Sequence, residues 1–471
     1  MSGIERAQSP EPLISAAGRG LAVFAAGRRL VARLRSRGNG RSLLLYASMP
    51  ALSAVNAMVG LMLPMLLGPQ GFGQYSLAVT LFQYGLIFDL GVSQTIDRRI
   101  PMLMATAPGE LDGFAAAALG VRMVIGGLTL GLGGLALAAL SRSGNLPFGL
   151  LDGLLSLSAG LAFMVVLGPM SVWRAQSRRS AFASSSALTG LALAVARPLG
   201  VVLAGITGSF AALLACYAAL AVVLPGRYGA PAPTLPRAGP ALRLVGAGLP
   251  LFITSILWAV YMTANRWVVS FLATPVELGH FAFGANVLAL VVGMLAMLSQ
   301  LYYPAIVTRV AAEGRRAVSG TITRDLFKLA LVGTALAVAG IAAGPRLIEL
   351  AYRSFAGSAE PMRILLVALP SLVVCSWLVP LGLATAERPW IEGAFILPVA
   401  LLVLIGANWA GFRMGGIEGA AWGSSVGGPA LLLLQLGAFV VSGLLSLRHA
   451  GLVLALVAGA SALLALLVAA A

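Results

Sequence analysis

The stretch SLLLYASMPALSAVNAMVGLMLPMLLGPQGFGQYSLAVTLFQYGLIFDLGVSQTIDRR, residues 42–99, decides the fold. Leu43 to Leu67 carries no charge and exceeds the roughly 20 apolar residues that a helix needs to cross a bilayer. An uncharged turn follows, Gly68-Pro69-Gln70-Gly71-Phe72-Gly73-Gln74, and then a second apolar run from Tyr75 to about Val92, closed by Asp97-Arg98-Arg99. The pattern predicts a helical hairpin that crosses a membrane and returns. Asn56 and Gln83 fall at mid-depth, and Asp89 lies near the end of the second helix. Hydrocarbon offers no hydrogen-bond partners, so these groups call for a protein interior or a wet cavity.

Composition extends that class to the whole chain. Of 471 residues, 59% are hydrophobic and 10% charged. A soluble domain carries about 25% charged residues, so this is an integral membrane protein. No hydrophilic stretch between apolar runs exceeds about 25 residues, too short for a core of its own. The net charge of +16 is spread over short loops between spans, which is a topology signal and not a nucleic-acid footprint. Cys216 and Cys375 fall inside spans without metal or redox spacing and read as small core residues.

Residues 1–41 form a basic tail with arginines at 19, 28, 29, 33, 35, 37 and 41 that interrupt any signal-peptide core. It is expected to be cytoplasmic, fixing topology and touching anionic lipid headgroups. Beyond the first hairpin, spans are predicted near 115–140, 150–172, 182–204, 209–225, 245–272, 278–303, 326–344, 363–385, 390–411 and 418–446, with a last apolar run at 450–471. With the N-terminus inside, inner segments hold 23 of the 31 basic residues; outer segments hold Arg142, Arg346, Arg353, Arg363 and Arg413. Arg122, Arg197 and Arg266 lie within spans. The asymmetry predicts a cytoplasmic N-terminus.

The chain also repeats. Leu249-Pro250 opens the seventh span as Met49-Pro50 opens the first, and Gly279-His280-Phe281-Ala282-Phe283 parallels Gly73-Gln74-Tyr75-Ser76-Leu77. Gly208-Ser209-Phe210-Ala211-Ala212 is set against Gly416-Ile417-Glu418-Gly419-Ala420. Six spans per half keep the halves in one orientation, related by an axis along the membrane normal. The expected fold is all-α and polytopic: a first lobe over 42–225, a cytoplasmic linker over 226–244, a second lobe over 245–446 and an extra helix over 447–471.

The segment LLGPQGFGQYSLAVTLFQYGLIFDLGVSQTIDRRI resembles the first hairpin of bacterial lipid-linked oligosaccharide flippases. These form the polysaccharide-exporter branch of the multidrug/oligosaccharidyl-lipid/polysaccharide (MOP) superfamily. ANRWVVSFLATPVELGHFAFGANVL is similar to that family's matching hairpin in the second half, where an acid and a basic residue precede a G-x-[YF] turn. Here the pair is Asn265-Arg266, so ion coupling through that acid does not carry over. The resemblance covers about residues 42–446 in span layout and the two hairpins in motif. It implies two six-helix lobes around a cationic cavity in a bacterial inner membrane. The implied cargo is a polyprenyl-diphosphate-linked glycan bound for polysaccharide or O-antigen-type (lipopolysaccharide) export, with a glycan polymerase and other export machinery as partners.

The residues are compatible with that chemistry. A lipid diphosphate carries at least two negative charges, and a guanidinium fork matches its oxygens. Arg266 lies about 9 Å from the outer end of its span. Arg197 precedes Pro198 at similar depth, and Arg122 lies in the inner half of the third span. Each also has the length to snorkel to an interface. Asp89 reads as the only acid well inside a span. It is a protonatable coupling site, a counter-charge to a cavity arginine, or a helix-end acid pairing with Arg98 or Arg99. Asn56, Gln83, Asn265 and Asn286 either meet sugar hydroxyls in a shared cavity or hold helices together. His280 and His449 lack metal-like neighbours and are expected at the surface, and neither a cofactor nor a metal is expected.

Competing classes fit less well. An enzyme would need acids or a sizeable loop on the outer face, but Gly68–Gln74 is uncharged and residues 345–362 hold only Glu349 and Glu360. A major-facilitator loop, G-x-x-x-D-R-x-G-R-R, is not matched by Gly91 to Pro101. A drug/cation antiporter of the same superfamily would favour acids in its cavity, where this chain has arginines. A flippase for the peptidoglycan lipid precursor shares the mechanism and stays open.

Overall fold

The computed structural model describes residues 40–385 and 391–470; most of the basic tail, residues 1–39, lies outside the described residues. The helices are α1 (Gly40–Ile87), α2 (Val92–Thr106), α3 (Leu111–Arg142), α4 (Leu150–Ala175), α5 (Arg179–Tyr228) and α6 (Ala238–Ser270). They continue with α7 (Pro275–Glu313), α8 (Ser319–Ala351), α9 (Ala359–Leu366), α10 (Leu369–Thr385), α11 (Leu397–Val441) and α12 (Leu447–Ala470). Among the described residues, nine helical stretches are long and apolar enough to cross a membrane. There are ten if α9 and α10, bent by 58° with the 3-10 turn before them, count as one span.

Three of these stretches are interrupted; the expected spans are found as helical arms within the described residues, except that the one over 363–385 is split between α9 and α10. In α1 the break is one residue, Gly68 (φ 66°, ψ 175°), a conformation open to glycine without a Cβ penalty. Pro69 then opens the return arm, where its missing N–H costs nothing. The turn expected over seven residues is therefore far tighter. Tyr352 Oη donates to Leu61 O (2.9 Å) while Phe355 packs edge-on to Phe72, so both sides of the break reach one short 3-10 segment (Arg353–Ser358).

The other two breaks show the internal repeat directly. Ala204-Gly205 has φ/ψ of −152°/34° and 61°/−140°; Gly415-Gly416 has −151°/31° and 59°/−140°. The backbone doubles back through the same turn in each half. A Cβ on Gly200 would fall 2.3 Å from Gly208 O, and one on Gly411 would fall 2.1 Å from Gly419 O. Gly205-Ile206-Thr207-Gly208 thus matches Gly416-Ile417-Glu418-Gly419. The register expected from sequence, Gly208 against Gly416, is off by three residues. The turn's geometry needs glycine at the positive-φ position and at the two crossing points, and only this alignment supplies all of them.

Two glycine contacts hold the lobes together. Near the Gly68 end, a Cβ on Gly279 would lie 1.9 Å from Pro69 O and one on Gly73 2.6 Å from Pro275 O. The two repeat-related G-x-[YF] turns thus pack backbone on backbone. α7 starts there because Thr274 and Glu277 form a capping box, with Glu277 N–H on Thr274 Oγ1 (3.3 Å) and Thr274 N–H on Glu277 Oε2 (2.8 Å). At the opposite end, a Cβ on Gly248 of α6 would fall 2.0 Å from Gly91 O. A segment without helix or strand over 230–237 links the lobes and is pinned to α3 by Thr234 N–H donating to Ala116 O (3.0 Å).

α12 docks on the second lobe. Val453, Val457, Leu464 and Val468 are buried along one stripe, Ser461 Oγ reaches Val367 O, and His449 Nδ1 meets Ser319 Oγ (2.9 Å). His280 is likewise half-buried, with Nδ1 3.2 Å from Ser358 Oγ and its ring against Phe355. Neither histidine is the plain surface residue that its sequence neighbours suggest. Cys375 is fully buried and Cys216 half-buried, as small core residues should be.

Candidate functional site

The sequence Phe88-Asp89-Leu90-Gly91-Val92-Ser93 builds the centre of the site. Leu90 (φ 50°) and Gly91 (φ 84°) take left-handed backbone, which breaks the chain between α1 and α2. A left-handed non-glycine residue costs roughly 1–2 kcal/mol. The Asp89 carboxylate offsets that cost by accepting the amides that open α2: Gly91 N–H on Oδ1 (3.1 Å) and Ser93 N–H on Oδ2 (3.0 Å). Ser93 Oγ adds a third bond to Oδ2 at 2.5 Å.

Arg122 of α3 completes the cluster. Its Nη1 lies 3.2 Å from Asp89 Oδ2 and also donates to Ser93 Oγ, while Nη2 donates to Met164 O at 2.6 Å. The side chains of Arg122 and Asp89 are 2% and 5% exposed, so this is a desolvated pair. Breaking such a pair on one side is far costlier than the pair's net worth. Arg122 Nε is buried with no acceptor among the described residues. Asp89 thus pairs with Arg122, not with Arg98 or Arg99. Asp97 instead takes a two-pronged contact from Arg174, Nε to Oδ1 (3.2 Å) and Nη2 to Oδ2 (2.5 Å).

Asp89 and Arg122 line a cavity of about 500 Å³ between the lobes, with Ser93, Gln94, Trp258 and Ser376 among its walls. One wall comes from α1, α2, α3 and α4, the other from α6, α7 and α10. One turn past Ala259, the last residue of α6 on its wall, a bridge joins the lobes, Tyr84 Oη to Thr263 Oγ1 at 2.6 Å. Sequence reasoning missed Ser93 and Gln94; Gln94 Oε1 is buried without a partner among the described residues. The signal available was their place one turn beyond an acid that interrupts a helix.

Arg266 is buried one turn past Thr263 on α6, toward the Gly73/Gly279 closure, and so lies beyond the Tyr84 bridge and not on the cavity wall. It is 4% exposed, its Nε has no acceptor among the described residues, and none of the ion pairs there includes it. Arg197 is held inside the first lobe, with Nε on Tyr75 Oη (2.9 Å) and its guanidinium over the Tyr75 ring. Asn56 Nδ2 donates to Leu52 O (3.0 Å) and Gly190 O (3.2 Å), joining α1 to α5. Asn265 faces the interior of the second lobe, where Ser424 lies between it (3.4 Å) and Asn408 (2.9 Å). Gln83 and Asn286 are half-buried, without a side-chain hydrogen bond among the described residues. The four amides therefore do not converge on one cavity. Asn56 and Asn265 hold helices together, because each sits on the face of its helix that points into its own lobe.

One further acid is buried. Glu392, in the π-helical turn Glu392–Ile396, is 7% exposed and accepts from Gln435 Nε2. Asp89 is thus not the only acid inside a span. Glu392 is the third residue of the expected span 390–411, too near its end to stand out in sequence; the π turn and the second arm of α11 enclose it.

Two repeat-related lobes of antiparallel spans close on each other around a charged cavity, the fold also seen in solved transporters of the MOP superfamily. Residues 52–309 match the family described as "Polysaccharide biosynthesis protein", and the chain belongs to that family. No curated protein matches the chain. Among solved structures it is similar to the Lipid II flippase MurJ in an inward closed conformation, at TM-score 0.63 and 11% identity over 90% of this chain and 98% of that one. It is also similar to an outward-facing multidrug-resistance MATE transporter of the MOP superfamily (0.58, 12%, 89% and 96%). A third similar structure is a MOP-superfamily transporter from Pyrococcus furiosus described as having a binding pocket of reverse polarity (0.56, 13%, 86% and 95%).

Proposed function

We propose that the chain flips a polyprenyl-diphosphate-linked oligosaccharide from the cytoplasmic to the outer leaflet of a bacterial inner membrane by alternating access. The observation that carries this reading is the placement of cations along the lobe interface. Arg122 is in the cavity, and Arg266 is buried beyond the Tyr84–Thr263 bridge without an ion-pair partner among the described residues. The basic-residue distribution supports a cytoplasmic Asp89 end, and in this reading the cavity belongs to an inner-side state closed at Gly73 and Gly279.

In this scheme the diphosphate enters beside Arg122, whose charge Asp89 neutralises until substrate arrives. It then meets Arg266 once the Tyr84–Thr263 bridge opens, while the lipid tail stays in the bilayer between the lobes. Arg122 and Arg266 have the charge for phosphate and the wrong charge for an organic cation, which disfavours the antiporter reading. The protein makes and breaks no covalent bond in this scheme, and a glycan polymerase consumes the flipped product.

The test is a substitution series read by glycan export at matched protein level. Arg266→Ala removes charge and fork. A charge-assisted contact is worth about 1.5–3 kcal/mol, so export should fall roughly ten- to hundredfold. Arg266→Lys keeps the charge and should be intermediate, and the exposed Arg353→Ala should be neutral. Undiminished export by Arg266→Ala sinks the proposal at this residue. Proton-driven uptake of small organic cations by the purified protein would favour the antiporter.

A further inference from the structure

Glu392 lies apart from the cations of the interface. It opens the π-helical turn before α11, and its one hydrogen-bonding neighbour among the described residues is Gln435 on the second arm of α11. Gln435 Nε2 donates to Glu392 Oε1, while Gln435 Oε1 is buried and receives no donor among the described residues. Among the described residues the other groups near this position are uncharged: the buried Cys375 and Gly382 on α10, with Thr254 of α6 against the next residue, Gly393. Arg315, on the loop before α8, directs Nη2 to Thr385 O (3.0 Å) and Nη1 to Ser442 O (3.4 Å). None of the ion pairs among the described residues includes Glu392.

A carboxylate in this place would keep a full charge in a low-dielectric interior with a single amide N–H from the described residues for company. The neighbouring amide oxygen would also stay unsatisfied. One proton on Glu392 removes both costs, because the neutral acid gains an O–H donor and Gln435 Oε1 is the acceptor without one. The conclusion does not depend on which way the amide is placed. With Gln435 turned over, the contact with Glu392 becomes oxygen to oxygen and again needs a proton between them.

We propose that Glu392 and Gln435 form a proton-binding site in the second lobe, protonated in the conformation described here. It is separate from Asp89 and independent of what the cavity carries. Its connection to the lobe interface is short. Gly393 packs against Thr254, a cavity-lining residue, and Gly382 beside Glu392 Oε2 is adjacent to Leu383, also on the cavity wall. A proton enters from cavity water and leaves to it. The π turn is the part of the ladder able to rearrange when the acid ionises, since its i→i+5 bonding is readily exchanged for α-helical bonding. Deprotonation leaves an uncompensated charge, so it disfavours this packing of α10 against α11; rising pH therefore shifts the protein out of this conformation.

The purified full-length protein tests this without any substrate. Infrared difference spectra between about pH 5 and pH 9, a span that brackets an ordinary carboxyl and a strongly perturbed one, should show a neutral-acid carbonyl band that Glu392→Gln removes. Gln435→Leu keeps the acid but removes its amide partner, so the band should persist and move to higher frequency. In a background lacking Cys216 and Cys375, maleimide labelling of Ser255→Cys in the cavity should change severalfold with pH and become pH-independent when Glu392→Gln is added. No neutral-acid band at any pH, or one that both substitutions leave untouched, overturns the site. Labelling that still follows pH in Glu392→Gln overturns its control of conformation.

Discussion

Gly279 offers a direct handle on the closed end of the molecule. A methyl group there would sit 1.9 Å from Pro69 O, against an ordinary contact distance of 3.4 Å or more, so Gly279→Ala must part the two backbones by about 1.5 Å. Overpacking of this kind costs about 1–3 kcal/mol. The cost falls on the state in which the two turns touch, so the equilibrium moves roughly 5- to 150-fold toward the state opened at that end. The assay is labelling of Ser255→Cys, in a background without Cys216 and Cys375, by an impermeant maleimide applied from the Gly279 side. Labelling should rise in Gly279→Ala and stay at the control level in Gly437→Ala, where a Cβ meets nothing within 4 Å. Unchanged labelling with an unchanged unfolding midpoint would show that the glycine contact does not hold the lobes together.

Arg122→Ala strands a buried carboxylate and should lower stability by about 3–5 kcal/mol, whereas Asp89→Asn combined with Arg122→Met should recover most of it in thermal unfolding. Equal destabilisation by the single and double variants would deny the coupling. A chain ending at Leu447 loses α12 and its contact with α8, so its unfolding midpoint should drop by several degrees while export persists. Loss of export at normal protein level would place α12 in the transport core. Reporter fusions after Arg179, Arg237 and Arg316 should read cytoplasmic and fusions within 68–74 and 346–360 external; reversal at two of these sites would invert the molecule.

The spans were legible because they are long and uncharged, and the hairpin of residues 42–99 contained both its helices and its break. Finer features were not, for local reasons. Gly68 alone makes the turn because one positive φ followed by a proline suffices, and composition cannot separate that from a seven-residue loop. The Asp89–Arg122 pair depends on Leu90 and Gly91 turning left-handed, which no hydrophobic period encodes. The amides Asn56 and Asn265 share a depth but not a direction, and depth is all that a span pattern reports. Glu392 was hidden at a span end that the π turn draws inward. The third repeat was visible as Gly205-Ile206-Thr207-Gly208 and Gly416-Ile417-Glu418-Gly419, and only the paired dihedrals separate that register from its neighbour.

The pin between Thr234 and Ala116 limits the path that opens the molecule. From that anchored amide to Ala238, where α6 begins, the chain spans four residue steps, and a fully extended backbone covers about 13 Å in that distance. The anchor is firm, because a Cβ on Gly120 would fall 1.9 Å from Thr234 O and the strap rests directly on helix backbone. The leash is therefore short on one flank of the interface and absent from the opposite end. A body tethered this way behaves as a book bound along one corner: its leaves swing widest at the Gly73/Gly279 edge and least beside Ala116. Lengthening the leash, and leaving every side chain in the cavity alone, would change the swing's amplitude before it changed what the molecule recognises.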